Sequence, residues 1–308
     1  MKVVFMGTPI FAAGALKGLI SGGHDICAVV TGQDKPQGRK QILTPSPVKT
    51  LALEHDIPVL QPRSLRENPE LAAELKAFEA DVFVVAAYGK ILPKEVLCMP
   101  PLGCVNIHAS LLPAYRGASP IHAALLGGDE KTGVTTMLMD EGLDTGAMLE
   151  RAETAISDDD DFFALHDRLM DMGAVVINTT LDGLKLKTLT PIAQPNEFTY
   201  APIITKNMAK LDFTCPEFEL WGKVRAFALW PVAFFEMGGK KYKVHKAAPA
   251  EMAGLPGTVL RSSGELVIAC GEGALNILEI QPENGKKMSA DSYLRGHNIP
   301  EGMNINEI

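Results

Sequence analysis

The sequence predicts an α/β protein in which a mostly parallel sheet domain is followed by a smaller β-barrel domain. Three observations carry that expectation. Apolar runs in the first part of the chain alternate with helical patterns, as in a parallel sheet covered on both faces. The C-terminal part instead holds short strand-like runs separated by glycine turns. Between the two, a proline-punctuated stretch loses clear periodicity. With 308 residues and 46% hydrophobic content, the chain can bury a substantial core, and its length suits one large domain or two unequal ones.

Lys2 to Met6 reads as a buried strand, Gly7-Thr8-Pro9 as a turn, and Ile10 to Ser21 as an amphipathic helix stopped at Gly22-Gly23. Further strands are expected at Ile26 to Val30, Val82 to Ala87, Cys104 to Ile107 and Thr135 to Met139. Helices are expected at Ser46 to His55, Asn68 to Phe78 and Asp161 to Leu181. The first domain is therefore set at residues 1–189 and the linker, with Pro195 and Pro202, at 190–206. In residues 207–308, a helix from Glu217 to Phe227 precedes runs at Val232 to Met237, Lys241 to Lys246, Gly257 to Leu260, Leu266 to Cys270 and Leu275 to Ile280. These five short strands are expected to form a small barrel, with Phe227 and Trp230 in its core.

The net charge of −8 argues against unspecific nucleic-acid binding but leaves room for a local basic surface. Residues 1–206 hold 18 basic and 25 acidic side chains, the remainder 11 and 12, so the acidity belongs to the first part. Lys240, Lys241, Lys243 and Lys246 form one basic run in the second part, and Lys286, Lys287 and Arg295 another. Alone, such runs read as solvated faces. Cys27, Cys98, Cys104, Cys215 and Cys270 show no metal-ligand spacing and read as small core side chains. No basic leader with an apolar run opens the chain and no stretch reaches membrane-spanning length, so a cytoplasmic setting is expected.

In a parallel sheet, ligands bind beyond the carboxyl ends of the strands. The glycine ending the first strand is a tight turn and not a dinucleotide site, because Gly7-Thr8-Pro9-Ile10-Phe11-Ala12 lacks the second and third glycines that admit a pyrophosphate. The segment Gly103 to Gly117 is more informative. Asn106 and His108 lie two apart on a strand and so share a face. Asp144 follows another strand, in a loop flanked by Gly142 and Gly146, and parallel topology is expected to bring the loops together. Amide, imidazole and carboxylate suit acyl transfer to an amine: Asn106 to stabilise an oxyanion, His108 to move or stabilise a proton, Asp144 to orient the imidazole or a water. Ser110 lacks a nucleophile-elbow context and Cys104 lies within an apolar strand, which disfavours covalent catalysis.

Asn106-Ile107-His108-Ala109-Ser110-Leu111-Leu112-Pro113, with Arg116-Gly117 and Asp140 to Gly146, resembles the signature of the 10-formyltetrahydrofolate-dependent formyltransferases. The resemblance implies that Asn106, His108 and Asp144 are catalytic, and that the donor 10-formyltetrahydrofolate is bound by Tyr88, Gly89, Ile91, Leu92, Ser110, Leu111, Leu112, Pro113 and Asp140. No metal is expected. It also implies a Rossmann-like first domain and an OB-fold-like barrel after it.

Members of the family formylate a purine-pathway ribonucleotide, a nucleotide sugar or methionyl initiator tRNA, so the core leaves the acceptor open. The basic loop Gln33 to Lys49 is similar to the inserted loop of the tRNA-acting branch, with Arg39 at a functional arginine position; Lys40 and Gln41 depart from a common Gly-Lys continuation. Similarity continues through Thr199 to Pro202, Lys210 to Phe213, Arg225 to Phe227, Trp230-Pro231, Gly285 to Met288 and Leu294 to His297, nearly the whole chain. It implies methionyl initiator tRNA as partner, with phosphate contacts from Arg39, Lys40, Lys206, Lys240, Lys241 and Lys243. A monomer is expected. A sugar-nucleotide formyltransferase and a catalytically silent RNA-binding protein are the alternatives.

Overall fold

A computed structural model describes residues 1–38 and 41–307. In chain order the elements are β1 (Lys2–Gly7), α1 (Ile10–Ser21), β2 (Asp25–Val30), β3 (Lys35–Gln37), β4 (Ile42–Thr44), α2 (Pro47–Glu54), β5 (Val59–Leu60), α3 (Pro69–Ala77), β6 (Val82–Ala86), α4 (Lys94–Leu97), β7 (Cys104–His108), β8 (Arg116–Gly117), α5 (Pro120–Gly127), β9 (Lys131–Leu138), β10 (Met148–Ala155), α6 (Phe162–Leu186), β11 (Tyr200–Ala201), α7 (Glu217–Ala226), β12 (Phe234–Met237), β13 (Lys240–Ala250), β14 (Val259–Arg261), β15 (Leu266–Ala269), β16 (Ala274–Pro282), β17 (Met288–Ser289) and α8 (Ala290–Leu294). No helix among the described residues is long and apolar enough to cross a membrane.

The chain packs as two compact units, one of residues 1–117, 131–155 and 166–200, the other of residues 118–130, 156–165 and 201–308. Two segments that sequence reading places in the first domain thus pack with the C-terminal residues. Periodicity reports that a segment is helical or buried, but not which core it is buried in.

The first unit is built on a seven-stranded sheet of order β10-β9-β7-β6-β1-β2-β5. β7, β6, β1, β2 and β5 run parallel. Their apolar sequences follow from burial on both faces: β1 and β6 expose none of Val3 to Met6 or Val82 to Ala86 beyond 4%. Helix starts are set locally. The Ser46 hydroxyl accepts from the Lys49 N–H at 3.0 Å and Asn68 Oδ1 from the Leu71 N–H at 3.1 Å, each ahead of a proline at the first helical position. One expectation is corrected here. β9 pairs antiparallel with β7, joining Asn106 to Met137 and His108 to Thr135, so Asp144 does not follow a parallel strand.

In the second unit the antiparallel strands form a curled sheet of order β12-β13-β16-β15-β14, with β17 added to β16. β12 and β14 end the ladder, so the sheet is barrel-like but open. The long β13 bends through register shifts around Lys246, which turn the sheet onto its apolar face. Phe213, Phe235 and Tyr242 fill that face with ring centroids 5.4 to 5.8 Å apart. Phe227 is in the core, as expected, but Trp230 is 56% exposed. It lies in the turn after α7, before the strand in which Phe234 and Phe235 are both buried.

Segment 156–165 is fastened within this unit by Arg225 of α7. Its Nε donates to the Asp160 carbonyl at 2.7 Å, its Nη2 to the Ser157 carbonyl at 2.5 Å, and its guanidinium stacks 4.6 Å from the Trp221 ring centroid. His122 of α5 packs 4.4 Å from the Phe162 ring and 6.0 Å from that of Phe227, and burial lowers its pKa to about 4.

Candidate active site

Strand alternation on β7 separates packing from chemistry. A side chain on Gly173 of α6 would press on Ile107, which places Ile107 on the α6 face. Asn106 and His108, one residue either side, project from the opposite face, as expected from their spacing. They are 8% and 6% exposed. No described residue hydrogen-bonds the Asn106 side chain, so its amide donors remain for a ligand. His108 Nε2 lies 2.9 Å from the Tyr115 carbonyl. A carbonyl only accepts, so Nε2 carries the proton and Nδ1 is the nitrogen that faces outward.

Asp144 meets that outward nitrogen. Its Oδ2 stands 3.7 Å from His108 Nδ1, an ion-pair separation too long for a direct hydrogen bond, and its side chain is 13% exposed. The turn of residues 139–147 brings it there. Asp144 takes φ of 53°, in the left-handed region that Asp tolerates better than most side chains. The Gly117 N–H donates to its Oδ2 at 2.8 Å, and Gln194 Nε2 donates to the carbonyls of Asp144 at 2.8 Å and Gly146 at 2.7 Å. Asp140 shapes the start of the turn, accepting from the Gly142 N–H at 3.0 Å and the Thr145 hydroxyl at 2.6 Å. Asp140 is therefore engaged within its own loop.

The stretch after β7 folds back over the strand. Thr135 of β9 donates its hydroxyl to the Ser110 carbonyl at 2.7 Å and accepts from the Leu112 N–H at 3.1 Å. Ser110 donates its own hydroxyl to the Ala114 carbonyl at 2.6 Å, so it is committed to the loop. Leu112 is fully buried, whereas Leu111 and Pro113 are half-buried. Burial pushes the Cys104 thiol up to about 12, leaving it protonated at neutral pH. Neither side chain is a poised nucleophile.

Beyond β6 the chain turns through Ala87 at φ 43° and Gly89 at φ 75°. Lys90 pins this turn, its ammonium donating to the Pro62 carbonyl at 2.6 Å and the Arg63 carbonyl at 3.1 Å. Ile91 is 69% exposed, whereas Leu92 and Tyr88 lie in the core under the strand ends. The Tyr88 hydroxyl is buried with no partner among the described residues, and burial raises its pKa to about 12.

Sequence reasoning missed Gln194, Thr135 and the Tyr115 carbonyl. Gln194 lies in the stretch assigned to the linker, where no periodicity marks it. Thr135 is an ordinary strand threonine until its pairing with β7 is known. Of the expected tRNA contacts, Arg39 and Lys40 lie outside the described residues. Lys206, Lys240, Lys241 and Lys243 are exposed in the second unit, with Lys241 Nζ 4.0 Å from the centroid of the Phe234 ring.

Comparison with known proteins matches residues 1–181 to the formyl transferase family and residues 203–298 to the formyl transferase C-terminal domain. A methionyl-tRNA formyltransferase of Caldanaerobacter subterraneus is 51% identical over 98% of this chain and 99% of its own. One of Stutzerimonas stutzeri is 49% identical over 94% of this chain and 92% of its own. Among solved structures, WlaRD, a sugar 3N-formyl transferase, superposes with a TM-score of 0.68 at 19% identity, covering 93% of this chain and 99% of that one. HypX from Aquifex aeolicus in complex with tetrahydrofolic acid superposes with a TM-score of 0.65 at 16% identity, covering 96% of this chain. The chain spans about half the length of HypX, 47% of it. These two structural likenesses are likenesses of fold.

Proposed function

As the chain belongs to the formyl transferase family, with methionyl-tRNA formyltransferases as relatives over nearly its full length, we propose that it moves a formyl group from 10-formyltetrahydrofolate to the amino group of methionyl initiator tRNA. The products are N-formylmethionyl-tRNA and tetrahydrofolate, and the reaction belongs to the cytoplasm, where translation begins. The observation that carries the chemistry is the open Asn106 amide on the same strand face as a His108 imidazole that stands 3.7 Å from a carboxylate.

The acceptor amine attacks the formyl carbon in its neutral form, giving a tetrahedral intermediate with an oxyanion. Asn106 donates an N–H to that oxygen, in a setting shielded from water where such a bond is strongest. His108, proton-bearing at Nε2 and bonded there to Tyr115, presents Nδ1 to the reacting groups; a proton on Nδ1 stabilises the oxyanion and is in reach of the leaving N10. Asp144 balances the imidazolium and accepts the proton that the amine sheds, directly or through water. The C–N bond to N10 then breaks as N10 takes the proton of His108 Nδ1, the proton gathered by Asp144 returns to His108, and no group of the chain is acylated.

Donor binding is assigned to the turn Tyr88 to Leu92 and the stretch Ser110 to Pro113, supported by the unpaired Tyr88 hydroxyl and the exposed Ile91. Phosphate contact is assigned to Lys206, Lys240, Lys241 and Lys243, all of them exposed cations, and to Arg39 and Lys40. The deciding experiment incubates the purified chain with 10-formyltetrahydrofolate and either methionyl initiator tRNA or an amino-sugar nucleotide. Formyl-methionine on the tRNA alone is the expected result. Formylation of the sugar nucleotide alone, or of neither, overturns the reading.

A further inference from the structure

Gln194 lies in an aperiodic stretch after α6, yet its amide is fully used. Nε2 donates to the carbonyls of Asp144 at 2.8 Å and Gly146 at 2.7 Å, while Oε1 accepts from Arg116 Nε at 2.9 Å. These partners fix which end is nitrogen, since the flipped amide would set an acceptor against two carbonyls and a donor against a guanidinium. Arg116 is itself 8% exposed and held in place. Its Nη2 is 3.5 Å from the Pro195 carbonyl, and its guanidinium lies 4.4 Å from the centroid of the Phe198 ring.

We propose that Gln194, oriented by Arg116, is the positioning residue that sets Asp144 against His108, an inference that rests on the formyl-transfer reading above. Asp144 sits at φ 53°, a conformation that persists only where the surroundings over-determine it. Gln194 supplies that by holding the carbonyl of Asp144 itself and that of Gly146, while the Gly117 N–H holds the carboxylate. The anchor at Gly146 is close-packed: a Cβ there would fall on the Leu138 carbonyl oxygen. Without Gln194 the Asp140 turn, closed by Gly142 and Thr145, keeps the loop folded. What is lost is the fixed relation between Asp144 and His108.

The test measures kcat and KM of the full chain with the folate donor and methionyl initiator tRNA. In Gln194→Ala, kcat falls roughly 10- to 100-fold, the cost of a misplaced reactive group, with both KM values within about twofold. Gln194→Glu keeps an acceptor for Arg116 but offers no N–H to the carbonyls, so it fails to rescue. In an Asp144→Asn background, Gln194→Ala costs nothing further, because both changes act on one group. Hydrogen–deuterium exchange of residues 139–147 quickens in Gln194→Ala while β7 stays protected, a readout independent of turnover. An unchanged kcat, an equal loss in the Asp144→Asn background, a loss confined to KM, or unchanged exchange of the loop overturns the proposal. A wild-type chain that formylates no acceptor instead sinks the underlying reading, and the exchange experiment still tests the clamp.

Discussion

Gly117 donates its backbone N–H to Oδ2 of Asp144 at 2.8 Å. That same oxygen is the one 3.7 Å from His108 Nδ1, so the carboxylate is held on one side by the main chain and faces the imidazole on the other. A carboxylate fixed in this way need not be recruited when substrates bind, which is the arrangement electrostatic catalysis favours.

Asp144→Asn preserves the shape and the left-handed backbone, for which Asn is well suited, but removes the charge opposite His108. A kcat lower by roughly 100- to 10,000-fold is expected, the contribution typical of a positioned group that takes part in proton transfer. Thermal melting should shift little. Steady-state formylation beside a melting curve checks both, and near-normal turnover rules the role out.

Asn106→Ala deletes the amide proposed to hold the oxyanion. The loss of one such donor is worth roughly 100- to 1,000-fold in kcat, with little change in tRNA affinity measured by filter binding. Asn106→Asp, isosteric but anionic, is expected to do no better. If instead tRNA binding collapses while kcat holds, Asn106 is a binding residue.

His122 ties stability to pH. Its folded pKa of about 4 lies below the unfolded value of about 6.5. Above the unfolded value both states are neutral and the group contributes no pH dependence. As pH falls from about 6.5 to about 4 the unfolded chain binds the proton first, so stability is lost through that window and the loss levels off below it. Because His122 is only half-buried, the full differential is discounted to about 1–2 kcal/mol. His122→Phe should flatten this part of the melting-temperature profile; a variant that tracks the wild type removes His122 as the cause.

Arg225→Ala should cost about 2–3 kcal/mol, since it removes two charge-assisted hydrogen bonds, to the Ser157 and Asp160 carbonyls, and the stack on Trp221. Arg225→Lys is expected to recover only part, because an ammonium cannot reproduce the planar fork. Urea unfolding gives the magnitude. Faster amide exchange confined to residues 156–162 would locate it, and a loss spread evenly over the chain would contradict the clasp.

Much of this was legible in the sequence. Apolar runs located β1, β2, β6 and β7 to within a residue or two, because a strand buried on both faces has no choice but to be apolar. α1 was bounded at both ends by its own turn residues. β5 and β10 passed unnoticed, the first for its two residues and the second for its alternating Glu150, Arg151 and Glu153.

The sequence by itself determined that Asn106 and His108 share one face at the end of a buried strand, since their two-residue spacing leaves no other outcome once the strand forms. Asp144 stood out by its place after another strand, between Gly142 and Gly146, and family resemblance agreed. Only the tertiary structure decided how Asp144 arrives: on a turn after an antiparallel strand, in a left-handed conformation, held by the Gly117 N–H and Gln194. It decided equally that α5 and the start of α6 pack with the C-terminal residues. The physical reason is one of range. Periodicity and turn chemistry record what a residue meets within a few positions along the chain, whereas strand direction and the partners of a lone glutamine are set by contacts between segments far apart in sequence.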